Sequence, residues 1–281
     1  SLINQIKKQK KHIESTLNLK LNVIGLSNSK KMNFYKTGID LNNWKTFLNE
    51  GYKSNPVDFF EAIKSLNLRN SVFVDITASE LVASTYADYL KQSISVIACN
   101  KIACSSKIEY YLELKQLSHK YNVPFLFETN VGAGLPVIDT LKHLINSGDQ
   151  INTIHAVLSG SLNYIFNNFN RNTSFYDIVR QAQKEGYTEP DPRIDLSGVD
   201  VARKILILAR ESGTQMNLED IENESFLTTS NFVIVLQLFN VKLIDGLAGI
   251  CLSFFPQYFT KAILLGALHS KIADSMDWNE V

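Results

Sequence analysis

Cysteine is scarce: Cys99, Cys104 and Cys251 are the three in 281 residues. No two of them form a CxxC pair, and three are too few for a disulfide framework. That excludes a stapled secreted scaffold and points to a reducing, cytoplasmic setting. Charge of one sign is not in excess either. Lys+Arg number 28 and Asp+Glu 28, so neither a basic nucleic-acid surface nor an acidic solvating tail is expected. The five histidines (His12, His119, His143, His155, His269) never stand at i,i+4 or beside a cysteine, which argues against a zinc site built from them. Internal repeats and low-complexity linkers are missing. The lysine-rich start has no apolar h-region and does not read as a secretory leader. One apolar stretch, residues 232–255, carries Asn240, Lys242 and Asp245 near its middle; a buried segment is expected there rather than a membrane span.

What is present alternates. Residues 2–13 have helical spacing, with Leu2, Ile3, Ile6 and Ile13 near one face. Residues 21–26 form a short apolar strand, and the polar loop 27–31 follows. Pro56 opens a helix with a buried stripe of Val57, Phe60, Ile63 and Leu66. Residues 71–76 make a nearly continuous apolar strand, which suits a parallel strand covered on both faces. Helix 80–90, strand 94–99, helix 108–121 and strand 124–127 complete an α/β parallel sheet, whose ligands bind beyond the carboxyl ends of its strands. Ser27-Asn28-Ser29-Lys30, Asp75-Ile76-Thr77-Ala78-Ser79, Asn100-Lys101 and 128–134 stand at those ends. Beyond a boundary near residue 133 the expected elements are helix 135–145, strand 151–158, helices 161–170 and 175–185, an acidic loop 186–198 and a periodic helix 199–212.

The densest chemistry lies in Gly186-Tyr187-Thr188-Glu189-Pro190-Asp191-Pro192-Arg193-Ile194-Asp195 and the helix after it. Two prolines stiffen the loop and hold its acids. Asp200 and Lys204, four apart, sit about 40° from each other around the helix axis. They border the arc of Val201, Ile205, Leu208 and Ala209, which leaves Lys204 half-buried. Two readings stand: a surface ion pair, or a lysine pinned by a carboxylate at a cleft and able to deliver a proton to a developing alkoxide. Lys101, after a strand and Asn100, is either a solvated loop lysine or the holder of a carboxylate or a cofactor ribose. Glu128, with the glycine-containing backbone through Leu135, is either a turn or a set of oxygens for a hard cation.

Asn130-Val131-Gly132-Ala133-Gly134-Leu135-Pro136, Leu158-Ser159-Gly160-Ser161-Leu162-Asn163-Tyr164-Ile165-Phe166 and residues 186–208 are similar to homoserine dehydrogenases. Gly38-Ile39-Asp40-Leu41-Asn42-Asn43-Trp44 and Ser27-Asn28-Ser29-Lys30 resemble the dehydrogenase half of bifunctional aspartokinase–homoserine dehydrogenases in particular. The resemblance runs from about Leu2 to Leu227. It implies NAD(P)-dependent interconversion of L-homoserine and L-aspartate 4-semialdehyde, in threonine and methionine biosynthesis. It implies roles too: Lys204 as proton donor and acceptor, Asp200 orienting it, and Lys101 between cofactor and substrate as a second acid/base. Glu189 and Asp195 hold the amino acid, and Thr77 contacts the cofactor. Glu128 with the carbonyls of Val131, Ala133 and Leu135 matches the family's structural sodium site. Lys30 and Lys31, without an acid, lean toward NADP over NAD.

The family opens with a strand and a Gly-x-Gly-x-x-Gly turn that cradles a pyrophosphate. No glycine precedes Gly25 here. The expectation is therefore an incomplete Rossmann-like NAD(P)-binding domain at 1–132, lacking that strand and loop. An α+β catalytic and dimerisation domain follows at 133–227, then an unassigned apolar tail at 228–281. A homodimer or higher homo-oligomer with a small-molecule substrate (homoserine or aspartate semialdehyde), and neither nucleic acid nor membrane as partner, is expected. A catalytically silent fragment that only assembles with other subunits is the rival, and little activity is expected of the chain as written.

Overall fold

The computed structural model describes residues 2–170, 173–223, 225 and 241–242. They fall into two units: the residues through Ile97 with Glu113–Leu126, and Ala98–Leu112 with the described residues from Phe127 on.

In the first unit, α1 (Leu2–Thr16) follows the predicted spacing, yet none of its residues is buried. The next elements depart from the parallel strand read at 21–26. Strand β1 (Gly25–Ser27) pairs antiparallel with β2 (Lys31–Phe34). After α2 (Trp44–Asn49), β2 also pairs antiparallel with β3 (Tyr52–Lys53). Ser27-Asn28-Ser29-Lys30 is therefore a hairpin turn and not the ligand edge of a parallel strand. The cause is local: the Asn28 side chain accepts from the Lys30 and Lys31 N–H groups, both at 2.8 Å, and its own N–H donates to the Lys31 carbonyl at 2.9 Å.

Helix α3 (Pro56–Leu66) starts where Pro56 predicts, because Asn55 accepts from the Val57 and Asp58 N–H groups. Its buried stripe is Phe59, Phe60 and Ile63; Val57 is 58% exposed, because the face turns toward the larger Phe59 ring. Strand β4 (Val72–Asp75) follows. The single helix expected at 80–90 is two, α4 (Glu80–Ala83) and α5 (Tyr86–Lys91). Between them the Ser84 and Thr85 hydroxyls donate to the carbonyls of Leu81 and Val82, at 3.0 and 2.8 Å, competing with the helical ladder.

Strand β5 (Ser95–Ala98) leads to α6 (Ile102–Ser105) and α7 (Ile108–Lys120), and β6 (Phe125–Leu126) runs parallel to β5. The sheet order is β4-β5-β6, and the architecture is α/β with a Rossmann-like parallel sheet. One face packs on aromatics: Phe73 stacks on Tyr89 at 4.1 Å and Tyr89 meets Phe60 edge-on at 4.9 Å. The other face is not covered as the apolar run implied. Among the described residues, Val72, Val74, Ile97 and Leu126 remain 36–51% exposed.

The second unit takes in α6 and adds α8 (Val137–Asn146), β7 (Thr153–Ile154), α9 (Gly160–Asn168), α10 (Phe175–Lys184), α11 (Pro192–Leu196), α12 (Val199–Glu211) and β8 (Val241–Lys242). Its core gathers Leu162 and Ile165 of α9, Phe175, Ile178, Val179 and Ala182 of α10, Leu196 of α11, and Val201 and Ile205 of α12. The strand expected at 151–158 is confined to two residues, paired antiparallel with β8. The acidic loop holds a helix: Asp191 accepts from the Arg193 N–H at 3.0 Å and Pro192 takes the first turn, so Asp-Pro is a helix start rather than only a stiffener. No helix among the described residues is long and apolar enough to cross a membrane. The stretch 232–255, apart from the two backbone residues of β8, lies outside the described residues.

Candidate active site

Helix α12 positions the central pair. Val201, Ala202, Ile205 and Leu208 are buried. That pins the helix and leaves Asp200 and Lys204, one turn apart, at the margin of its apolar arc. The Lys204 ammonium lies 2.7 Å from Asp200 Oδ2 and donates to the Leu158 carbonyl at 2.8 Å. Its side chain is 16% exposed and that of Asp200 47%. The stem is thus buried, and the pair opens to solvent at the carboxylate.

Lys101 completes the group. It follows β5 and precedes α6, where the buried Asn100 accepts the Ile102 N–H at 3.0 Å and sets the turn. Its ammonium stands 3.1 Å from Asp200 Oδ1. One carboxylate thus bridges two lysines from distant parts of the chain. Burial is the largest influence on the Asp200 carboxyl and pushes it up. The Lys204 hydrogen bond and charge, with the charge and hydrogen bond of Lys101, outweigh it and hold the group below its ordinary value. Two cations and one anion leave a net positive trio, suited to a carboxylate or to oxygen gaining negative charge.

A second group surrounds the acidic loop. Asp195 accepts from the Ser161 hydroxyl at 2.7 Å and from the Glu189 N–H at 2.9 Å. Both its oxygens therefore hold protein groups, and one of them fixes the backbone of Glu189. The Glu189 carboxylate is exposed and has no hydrogen bond or ion pair with the described residues. The stretch from Leu158 to Ser161 touches both groups, the Leu158 carbonyl meeting Lys204 and the Ser161 hydroxyl meeting Asp195. Neither was singled out from the sequence. A backbone carbonyl leaves no trace there, and Ser161 stood only inside a resembling segment.

Thr77 belongs to the first unit. Its N–H donates to Asp75 at 2.7 Å and its hydroxyl accepts the Ser79 N–H at 3.1 Å. Tyr86 donates to the other Asp75 oxygen at 2.5 Å. The exposed loop after β4 is thereby ordered. Glu128 accepts the Ile138 and Asp139 N–H groups, both at 2.9 Å, and so caps α8. Gly132 and Ala133 then turn the chain with φ of 78° and 53°, and the Leu135 carbonyl accepts from the Val137 N–H at 2.9 Å. Among the described residues no three His, Cys, Asp or Glu side chains cluster as metal ligands; the oxygens here come from one carboxylate and the backbone.

With this geometry in place, comparison with known proteins decides the family. Residues 1–128 match the model of the homoserine dehydrogenase NAD-binding domain, and residues 136–248 match that of homoserine dehydrogenase itself. The chain belongs to the homoserine dehydrogenase family. The second match reaches residue 248, into the segment 228–281 where no resemblance was read. The chain is 44% identical over 231 residues to the chloroplastic bifunctional aspartokinase/homoserine dehydrogenase 2 of Zea mays, covering 81% of this chain and 25% of that protein. It is 36% identical over 222 residues to the homoserine dehydrogenase of Schizosaccharomyces pombe, covering 76% of this chain and 59% of that protein. Among solved structures, a hyperthermophilic archaeal homoserine dehydrogenase in complex with NADPH superposes with a TM-score of 0.62 at 26% identity, covering 75% of this chain and 65% of that one. The chain spans a quarter of the length of the maize protein.

Proposed function

We propose that this chain carries the dehydrogenase reaction of its family, the NAD(P)-dependent interconversion of L-homoserine and L-aspartate 4-semialdehyde. The observation that carries this reading is the Lys101–Asp200–Lys204 trio, with Asp200 at 3.1 and 2.7 Å from the two ammonium groups. A nicotinamide cofactor supplies the hydride when bound. Lys204 donates a proton to the substrate oxygen as that oxygen gains charge, and takes it back in the reverse direction. Asp200 and the Leu158 carbonyl aim the ammonium, so little motion is needed at the moment of transfer. Lys101 adds a second positive charge on the same carboxylate. Glu189 meets the ammonium group of the amino acid with its free carboxylate, and Asp195 holds the backbone of Glu189 as well as lining that subsite.

The ordered, exposed loop at Thr77 fits the edge of a dinucleotide, and an archaeal relative solved with NADPH supports NADP as the form used. The carbonyls of Val131, Ala133 and Leu135, together with Glu128, would suit a hard monovalent cation such as sodium by donor chemistry: every donor is oxygen, and a carboxylate accepting one N–H per oxygen keeps further lone pairs. Such an ion would be structural, holding the turn before α8. A homodimer through the second unit, in a cytoplasmic setting where Cys99 and Cys104 stay as free thiols, completes the reading. The test is steady-state oxidation of NADPH by L-aspartate 4-semialdehyde, on protein expressed from its complete gene. Turnover is expected; a protein that binds NADPH and leaves the aldehyde unreduced would refute the proposal.

A further inference from the structure

We propose that the stacked rings of Tyr164 and Tyr187 are a positioning device for Glu189, holding segment 186–191 against α9 so that the Glu189 carboxylate meets the substrate ammonium. This rests on the dehydrogenase reading above. The argument begins with the carboxylate itself, which makes no hydrogen bond or ion pair with the described residues. Its placement is therefore inherited from the backbone that carries it.

That backbone leaves α10 through Gly186, in the left-handed region at φ 78°, and the Tyr187 N–H returns to the Ala182 carbonyl at 2.9 Å. From there to α11 the segment has no regular structure. It is held at discrete points. Gln183 Nε2 donates to the Pro190 carbonyl at 2.8 Å, after Glu189. Asp195 accepts the Glu189 N–H at 2.9 Å. Before Glu189 the tie is aromatic: the Tyr187 ring lies on that of Tyr164, centroids 4.1 Å apart and planes 21° from parallel.

Tyr164 is a fixed base for this stack. Its body packs on the core of the second unit, and its hydroxyl donates to Glu185 at 2.8 Å. Glu185 accepts in turn from Gln181 at 2.9 Å, and these two bonds hold its carboxyl below the ordinary range, an ionised acceptor. Tyr187 is different: it is 51% exposed and absent from the core cluster. An aromatic that buries little of itself, two residues before an unbonded acid, serves the segment rather than the fold. Ring contacts of this kind are directional, so the stack constrains orientation as well as distance.

The test compares Tyr187→Ala and Tyr187→Phe with the parent, on protein from its complete gene. Y187A is expected to raise the KM for homoserine about tenfold, the scale of one strong aromatic contact, with kcat within about threefold and the cofactor KM unmoved. Y187F keeps the ring and restores the KM. Amide hydrogen exchange across 186–191 is expected to quicken in Y187A and not in Y187F. An unchanged homoserine KM or unchanged exchange in Y187A, or a Y187F variant as weak as Y187A, overturns the proposal. A parent that turns over no homoserine defeats the dehydrogenase reading instead, and the exchange comparison still decides whether the stack holds the segment.

Discussion

Replacing Lys204 with methionine separates chemistry from stability. Methionine keeps much of the buried stem and removes the ammonium that lies 2.7 Å from Asp200 and 2.8 Å from the Leu158 carbonyl. General acid–base catalysis contributes ~10²–10⁴-fold, so loss of the proton donor is expected to lower kcat by that factor, ~2.7–5.4 kcal/mol in the barrier. The structural cost is smaller. Asp200 is about half exposed and keeps Lys101, so the lost pair is worth ~0.2–1 kcal/mol, and the abandoned carbonyl adds ~1 kcal/mol. Together these shift the melting temperature by only a few degrees, on the scale of ~2–4 °C per kcal/mol for a chain of this size. The KM for aspartate semialdehyde is expected to change little, because the proposed role puts the lysine where charge develops in the transition state. Steady-state kinetics beside a thermal melt reads both quantities. A kcat within about threefold of the parent would refute the role. A fall in kcat accompanied by a collapse of the melt would show instead that Lys204 holds the fold.

Three further outcomes follow from the same geometry. Glu189→Leu is expected to raise the KM for homoserine by about tenfold or more, the scale of one charged contact, while the cofactor KM stays put; the reverse pattern would show Glu189 misassigned. The Asp200 carboxyl is held below its ordinary value of 3.8, so its stabilisation is present at neutral pH and lost as pH falls through the lower folded value. D200N is therefore expected to melt below the parent at neutral pH, the gap closing only in acid below 3.8; a gap constant from neutral pH to acid would contradict this. Gly51→Ala places a methyl group against the Met32 carbonyl, backbone that cannot yield cheaply, and against the Asn33 side chain. A loss of ~1–3 kcal/mol by denaturant titration is expected, and an unchanged midpoint would show that β2 and β3 shift apart without cost.

Local rules carried much of this protein. The helical period with Asn55-Pro56 was enough for α3, because a cap and a fixed φ act within one turn. The i,i+4 spacing of Asp200 and Lys204 was enough for their contact, because one helix sets it. Hydroxyls at Ser84 and Thr85 and the Asn28 side chain are also local, but they compete with the ladder rather than announce a period, so hydrophobic spacing alone predicts one helix and a parallel edge where the structure has a split helix and an antiparallel hairpin. Other features belong to the tertiary structure alone. Lys101 meets Asp200 because the turn after β5 comes to lie beside α12, and no spacing along the chain encodes that meeting. Leu158 offers Lys204 a backbone oxygen that every residue possesses, and Ser161 becomes significant only when packing of α9 against α11 and α12 brings it to Asp195. Side-chain identity determined which groups could do chemistry; the packing of buried apolar faces decided which of them share one site.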